Sequence, residues 1–382
     1  MTDKKPAELS VLVPAANVLL STRGVSKSTE KRAEITLSCR DTDYIPKVKD
    51  AGEIVKINET NVQIMHNGIM VKAEGYQGSW QARVIKGLKG THEPQEEKVF
   101  YEVLKRIKPG ATMLELGSWW SYYSLWFLKS IKNSKAYCTE PDPENIKLGR
   151  FNMRLNGYSE PENMVFYQAA SGSKNETTVD FVTEKKESIR VPVRTVDSIV
   201  GEQGIKKLDI LHMDIQGAEL DALKGSVESV KSGKIRFLFV STHHYAISGD
   251  PEMHDKCINF IKKHGGHIIS KHTVAESCSG DGLIVASFAD EDVDFKVEVS
   301  IQPTDESLFR APDEDLSILW NGYDRLLSYI NTREEQWHNY QENVVRPLEE
   351  ILHWIHMRPI RFTIGNLYHV YIKRDRQKGE IK

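Results

Sequence analysis

The sequence predicts an α/β protein built on a mostly parallel seven-stranded sheet with helices on both faces. An N-terminal β appendage precedes this core and C-terminal helices follow it. Three observations carry the prediction. Short apolar runs recur through the middle of the chain, helical patterns separate most of them, and several runs are apolar at nearly every position. Strands alternating with helices at this spacing form parallel sheets. A strand without a polar face is one covered on both sides.

Taken in order, residues 1–45 mix Lys, Ser, Thr and Asp without clear periodicity and read as a loosely packed lead-in. Ile54, Val55 and Ile57 open a β-rich stretch that continues to Lys72. Asn67-Gly68 within it marks a hairpin, because both residue types tolerate positive φ. A helix over 95–107 follows Pro94, a residue favoured in a first turn, and Pro109-Gly110 stops it. Apolar runs at 113–116, 136–139, 165–169, Leu208–Met213, 235–240, 267–270 and 283–288 supply the strands. Helical patterns at 121–131, Pro143–Leu155, 218–223 and 251–264 lie between them. After residue 290 a Pro- and acid-rich connector leads to two helix-like stretches, 316–330 and 334–357. Their Trp320, Tyr329, Trp337, Tyr340 and Trp354 suit a lid, packing against the core, or a homodimer contact. The basic tail from Tyr371 reads as solvated. The expected divisions are 1–90, 91–290 and 291–382.

Composition narrows the function. The 382 residues are 40% hydrophobic and 27% charged, enough to bury a core. Fifty-one basic against 54 acidic residues give a net charge of −3, which offers no broad positive field for nucleic acid. The apolar run at 11–20 contains Pro14 and Asn17 and is too short to span a bilayer. Neither a signal peptide nor an integral membrane segment is expected. The four cysteines form no CxxC pair, which argues against structural zinc and for free thiols in a reducing cytoplasm.

The stretch from Leu114-Glu-Leu-Gly117 to Ser121 reads as a strand, a sharp turn at Gly117 and the start of a helix. In open α/β sheets ligands sit at the carboxyl ends of strands. Glu115, ending the first strand, can hold an ammonium group. Glu140 ends the next strand, where an acid about 20 residues past the glycine turn reads a ribose diol in dinucleotide folds. This geometry suits NAD and S-adenosylmethionine alike, and residue 119 separates them. A pyrophosphate needs a second glycine so that backbone N–H groups can reach it. Trp119 stands there, with Ser121 where another glycine would fall. S-adenosylmethionine has no pyrophosphate, and its cationic amine favours Glu115.

A further stretch, from Leu208 through Asp214-Ile-Gln-Gly-Ala-Glu219 to Gly225, makes the pattern specific. Together with the Gly117 turn, Thr139-Glu-Pro-Asp-Pro-Glu-Asn145 and Val193-Arg-Thr-Val-Asp197, it resembles the FkbM family of S-adenosylmethionine-dependent methyltransferases. The family pattern D-x-x-G-x-E-x-x-x-L-x-G is matched by Asp214, Gly217, Glu219, Leu223 and Gly225, and the likeness covers roughly residues 91–288. It implies a Rossmann-like methyltransferase fold. It also implies that Glu115, Gly117 and Ser118 hold the methionine end of the cofactor, that Glu140 holds the ribose, that Gln168 and Ala169 flank the adenine, and that Asp214 lies beside the cofactor. The family modifies saccharides and polyketide-type natural products, so the implied acceptor is a hydroxyl of a sugar, glycoconjugate or natural product, as in polysaccharide biosynthesis. Trp119 and Ser121 depart from the glycines usual in its first turn.

Methyl transfer from a sulfonium is a direct displacement that positioning accelerates and a general base or metal assists. Asp214 ends the fourth strand, and His243 and His244 end the fifth. Neighbouring strands lie about 4.8 Å apart, so these side chains are the candidate bases. A neutral histidine oriented by Asp214 suits proton abstraction at physiological pH. Asp214 with His243 is also the candidate pair for a divalent metal. Glu219 reads as bonding around the strand-to-helix turn. Asp281 lies in a Gly-rich loop that either borders the acceptor or merely enters a strand. His254, His264, His267 and His272 read as surface or helix-end residues. The competing functions are a nicotinamide-dependent oxidoreductase and a non-catalytic binding module. N-methylation lacks its N/DPPY-like motif after the fourth strand.

Overall fold

In a computed structural model, residues 13–14, 27–303, 307 and 346–357 are described. The chain divides into two compact units at Leu308/Phe309. In the first, strands β1 (Val13–Pro14), β2 (Ile54–Ile57), β3 (Thr60–Ile64) and β4 (Met70–Lys72) form an antiparallel sheet in that order. The expected hairpin joins β3 to β4. Only Gly68 takes a positive φ there, of 78°, while the Asn67 side chain accepts the Ile69 N–H at 3.0 Å.

Helix α1 (Lys27–Ser38) lies in the stretch expected to be loose. Its buried face consists of the small Ala33 and Thr36, so no large apolar stripe announces it. Ala33 and Leu37 pack against α2 (Ser79–Gly87) through Trp80, Val84 and Leu88. Met65, Ile69, Val71, Tyr76 and Ile85 join the main core, so the appendage shares its interior with the large sheet.

Helix α3 (Pro94–Leu104) begins at its proline, as expected. Then β5 (Thr112–Leu116), α4 (Tyr122–Ser130), β6 (Lys135–Thr139), α5 (Pro143–Leu155) and β7 (Met164–Tyr167) alternate. The strand expected over 165–169 ends at Tyr167, and Ala170–Ser171 (β8) pairs elsewhere, with β10. Strands β9 (Glu176–Val182) and β10 (Ser188–Arg194) form a hairpin that the sequence did not announce. The chain continues through α6 (Val196–Glu202), β11 (Leu208–Met213), α7 (Glu219–Lys224), α8 (Val227–Lys231), β12 (Ile235–Thr242), α9 (Tyr245–Ser248), α10 (Met253–Lys263), β13 (His267–His272) and β14 (Gly282–Ser287).

Seven strands hydrogen-bond in the order β13-β14-β12-β11-β5-β6-β7. The five from β12 to β7 run parallel, and β14 is antiparallel to both of its neighbours. This is the Rossmann-like methyltransferase architecture expected above. Every residue of β11 and β12 is buried, because alternate side chains feed two cores. Met113, Phe237 and Phe239 face one with Phe100 and Trp126. Leu114, Leu116, Leu238 and Val240 face the other with Leu223 and Ile261.

Among the described residues no helix is long and apolar enough to cross a membrane. All four cysteines are free and buried. In the second unit, Arg346–Met357 is helical. The stretch 316–330, most of 334–357, the aromatics Trp320, Tyr329, Trp337 and Tyr340, and the basic tail lie outside the described residues.

Candidate active site

The turn after β5 brings the ends of three strands together. Gly117 has φ 74°, and a Cβ there would lie 1.9 Å from the Asp214 carbonyl oxygen, so only glycine lets β5 and β11 close this tightly. Its N–H and that of Ser118 both donate to the Thr139 carbonyl at the end of β6, at 2.9 and 3.0 Å. Trp119 and Ser121 adopt φ 38° and 61°. The backbone thus keeps a glycine-type path through side chains that resist it, at a cost of about 1–2 kcal/mol per residue. Glu140 helps hold this path: its Oε2 accepts the Trp119 N–H at 3.0 Å and its Oε1 accepts the Asp142 N–H at 2.9 Å.

Beside this turn lies a small crevice at the carboxyl ends of β5 and β11. Tyr76, Trp119, Trp120 and Tyr123 line it together with Glu93, Glu96, Glu115, His212 and Asp214. A wider depression lined by Lys108, Lys206 and Lys207 lies at the amino ends of the same strands, the end where open α/β sheets do not bind ligands.

Of the sequence candidates, Glu115, Gly117, Ser118 and Asp214 line the crevice. Glu115 accepts from the Ser124 N–H at 3.2 Å and from the Ser124 hydroxyl, and burial pushes its pKa up to about 7. Burial likewise pushes Glu140 up to about 7. Expected at the ribose, Glu140 is turned into the chain instead, because the strained Trp119 turn takes its oxygens. Gln168 is exposed beside Pro141, and Ala169 is buried with its N–H 3.3 Å from the Glu140 carbonyl. Neither lines the crevice.

Just past the carboxyl end of β12, beside that of β11, His243 is enclosed by carboxylates. Its Nδ1 lies 2.8 Å from Glu219 Oε1, and its Nε2 lies 3.0 Å from Asp214 Oδ1, 3.8 Å from Asp281 Oδ1 and 2.9 Å from the Gln216 amide. Burial opposes charge on the ring, but Asp281, Asp214 and Glu219 outweigh it and hold the pKa well above 6.5. These carboxylates favour the protonated ring, an environment that runs against the neutral histidine base expected from the sequence. His244 does not join it: as N-cap of α9 it accepts the Ala246 N–H on Nδ1 at 3.2 Å. Asp281 does, and it also lies 3.7 Å from Arg32 of α1; burial raises its pKa to about 6. Asp214 and His243 face each other as an ion pair. Among the described residues no group of three or more His, Cys, Asp or Glu suits a metal ion.

The sequence missed the residues at the start of α3. His92 sits between Glu93 Oε2 at 3.1 Å and Glu97 Oε1 at 2.6 Å, and against the opposing effect of burial these raise its pKa to about 10. Glu93, although buried, is held down to about 2 by His92 and the Tyr123 hydroxyl. Glu96 Oε1 lies 2.6 Å from His212 Nε2, and its Oε2 accepts the Ser241 hydroxyl at 3.0 Å. The available signal was three carboxylates and a histidine in Thr91-His-Glu-Pro-Gln-Glu-Glu97, disguised because acids in a first turn ordinarily answer the helix dipole. His254 and His272, expected near the surface, are largely buried, and burial lowers both pKa values, His254 to about 3.

Residues 102–268 match the family model for the methyltransferase FkbM domain. Over 191 residues the chain is 25% identical to the 2-O-methyltransferase NoeI of Sinorhizobium fredii, a match covering 44% of this chain and 78% of that protein. Over 81 residues it is 27% identical to the AMB antimetabolite synthetase AmbE of Pseudomonas aeruginosa, covering 21% of this chain and only 4% of AmbE. A solved S-adenosylmethionine-dependent methyltransferase from Aquifex aeolicus is 16% identical, with a TM-score of 0.31, over 50% of this chain and 89% of that one. That structural likeness is too slight to bear on function.

Proposed function

Given that this chain belongs to the FkbM methyltransferases through residues 102–268, we propose that its crevice binds S-adenosylmethionine and that it methylates a hydroxyl of a sugar, glycoconjugate or natural product. The observation that carries the cofactor assignment is electrostatic. Glu93, Glu96, Glu115 and Asp214 line one small crevice, and removal from water raises the pKa values of Glu96 and Glu115 even with His212 beside them. A ligand bearing a sulfonium and an ammonium supplies positive charge. A dinucleotide diphosphate would add negative charge to the same carboxylates, which disfavours the oxidoreductase alternative.

The residues fit the group: His212 Nδ1 is buried at this crevice without a hydrogen-bond partner among the described residues. When bound, S-adenosylmethionine supplies an electrophilic methyl on a positively charged sulfur. Glu115 holds the ammonium. Glu140 works from behind by fixing the Trp119 turn, and Gln168 and Ala169, past the end of β7 and outside the crevice, would flank an adenine that extends beyond it. Asp214 accepts the proton of the acceptor hydroxyl as its oxygen bonds to carbon. A carboxylate suffices as base because an oxygen acquiring a third bond becomes strongly acidic. His243, pinned by Glu219, orients Asp214 and balances its charge. The family resemblance and the similarity to NoeI, whose name specifies 2-O-methyl transfer, support a hydroxyl acceptor.

Calorimetric titration with S-adenosylhomocysteine and with NADH tests the cofactor, and transfer of labelled methyl into a panel of glycans and hydroxylated natural products tests the acceptor. Binding of the homocysteine product, no uptake of NADH, and label in an ether support the proposal. Tight NADH binding without affinity for the adenosyl sulfonium overturns it.

A further inference from the structure

Strand β11 is buried at all six positions; four are apolar, Asp209 accepts the Thr112 N–H of β5 at 3.0 Å, and His212 brings an ionisable ring into the interior. A buried imidazole must satisfy two nitrogens. The Glu96 carboxylate meets Nε2 at 2.6 Å. Nδ1 is buried and has no hydrogen-bond partner among the described residues. The ring is held in place by Tyr123, with centroids 4.4 Å apart, and by Phe239 at 5.8 Å. His212 also lines the crevice, so that is where Nδ1 can be met. His92, the other histidine there, has both nitrogens engaged by Glu93 and Glu97.

We infer that His212 Nδ1 donates a hydrogen bond to the α-carboxylate of the cofactor's amino-acid end, an assignment that rests on the S-adenosylmethionine proposal above. Glu115 is the register partner of His212 on the adjacent strand, so a carboxylate and an imidazole stand side by side across the β5–β11 pair. An α-amino acid presents an ammonium and a carboxylate on one carbon and complements that pair. Protonation fits as well. Burial disfavours a charged ring, but the Glu96 hydrogen bond and the charges of Glu96, Glu115 and Asp214 prevail and raise the His212 pKa above 6.5. A ring holding a proton on Nδ1 donates and does not act as the base toward the acceptor.

The test compares calorimetric affinities of three ligands: S-adenosylmethionine, its decarboxylated form, and 5′-methylthioadenosine, which lacks the amino-acid end. Wild-type protein should bind S-adenosylmethionine about ten- to a hundredfold more tightly than the decarboxylated form, the range of a charge-assisted hydrogen bond. His212→Phe should remove that preference while leaving 5′-methylthioadenosine affinity within about threefold, and His212→Asn, which keeps a donor near the Nδ1 position, should restore part of it. Equal wild-type affinity for the carboxylated and decarboxylated ligands overturns the inference and leaves the cofactor assignment standing. Retained preference in His212→Phe with methyl transfer abolished also overturns it, in favour of a catalytic role. Failure of all three ligands to bind removes the cofactor assignment, and this inference with it.

Discussion

Glu219 Oε1 lies 2.8 Å from His243 Nδ1 and also accepts the Gly217 N–H at 3.0 Å, so one carboxylate ties the end of β12 to the turn after β11. The spacing of Asp214, Gly217 and Glu219 thereby becomes one physical object. Gly217 takes φ 102°, and a Cβ on it would lie 2.6 Å from Ser248 Cα, so the turn admits no larger residue. Glu219 then reaches back beneath His243, whose other nitrogen faces Asp214.

Glu219→Gln should therefore damage turnover more than binding. The amide keeps one acceptor but no longer supports a fully protonated imidazole, and loss of such an orienting partner costs about 10- to 100-fold. The expected result is a kcat lower by that factor, with S-adenosylhomocysteine affinity within about threefold. The pH–rate profile should gain a limb as the His243 pKa falls toward the ordinary imidazole value. An unchanged kcat would show that Glu219 only shapes the turn.

Cofactor affinity should rise with pH. Glu115 has a pKa of about 7, raised chiefly by burial, with His212 and the Ser124 hydrogen bonds lowering it and Asp214 raising it; Cys138 also faces it. A cationic ammonium prefers the ionised carboxylate. Ionisation climbs from about a tenth at pH 6 to about nine-tenths at pH 8, which predicts roughly tenfold tighter binding at the higher pH. Titrations at both pH values check this. Glu115→Gln should bind weakly and lose most of the slope, and a slope unaltered in that variant assigns it to another group.

Much of this architecture was legible before any coordinates. The large sheet could be read because β11 and β12, buried on both faces, are apolar almost throughout. Strand-end residues such as Glu115, Asp214 and His243 followed from the rule that ligands gather at carboxyl ends. The hairpin β9–β10 was missed although Ile189, Val191 and Val193 alternate with Arg190 and Arg194, because a half-exposed strand forms no continuous apolar run of the kind that marks β11 and β12. Glu96 and His212 touch across 116 positions of sequence, and nothing local to either announces the other. The protonation of His243 depends on carboxylates at 214, 219 and 281, a sum that only the folded chain assembles.

Ser121→Gly should stabilise the protein. Ser121 holds φ 61° at the start of α4, where its hydroxyl comes so near Gly149 of α5 that a Cβ on that glycine would lie 2.5 Å away. Relief of a left-handed non-glycine residue is worth about 1 kcal/mol, partly offset by the greater freedom of glycine in the unfolded chain. A melting temperature higher by about 2 °C is expected by calorimetry. Ser121→Ala retains the strained Cβ and should show no gain. Equal behaviour of the two variants would mean that the surrounding turn, and not the φ of this residue, sets the cost.

Glu140 links the same turn to the pH dependence of stability. Its pKa stands at about 7 in the folded protein because burial dominates, although the Asp142 and Trp119 N–H groups and Asn145 favour the ion and the Asp142 charge opposes it. The unfolded carboxylate titrates near 4.5. Between those values the folded chain binds the extra proton, so the stability contributed by the protonated form is complete below pH 4.5 and is lost as pH rises through 7. The shift corresponds to a loss of about 3 kcal/mol across that window. Glu140→Gln cannot ionise and should flatten this component. It should also cost about 1–3 kcal/mol at acidic pH, because its amide NH2 meets one of the two backbone donors that the carboxylate oxygens now accept. Urea unfolding at pH 5 and pH 7.5 measures both effects: the wild type should lose stability between them and the variant should lose markedly less. Parallel losses in the two proteins would place the titration elsewhere, with Glu115 as the nearest alternative.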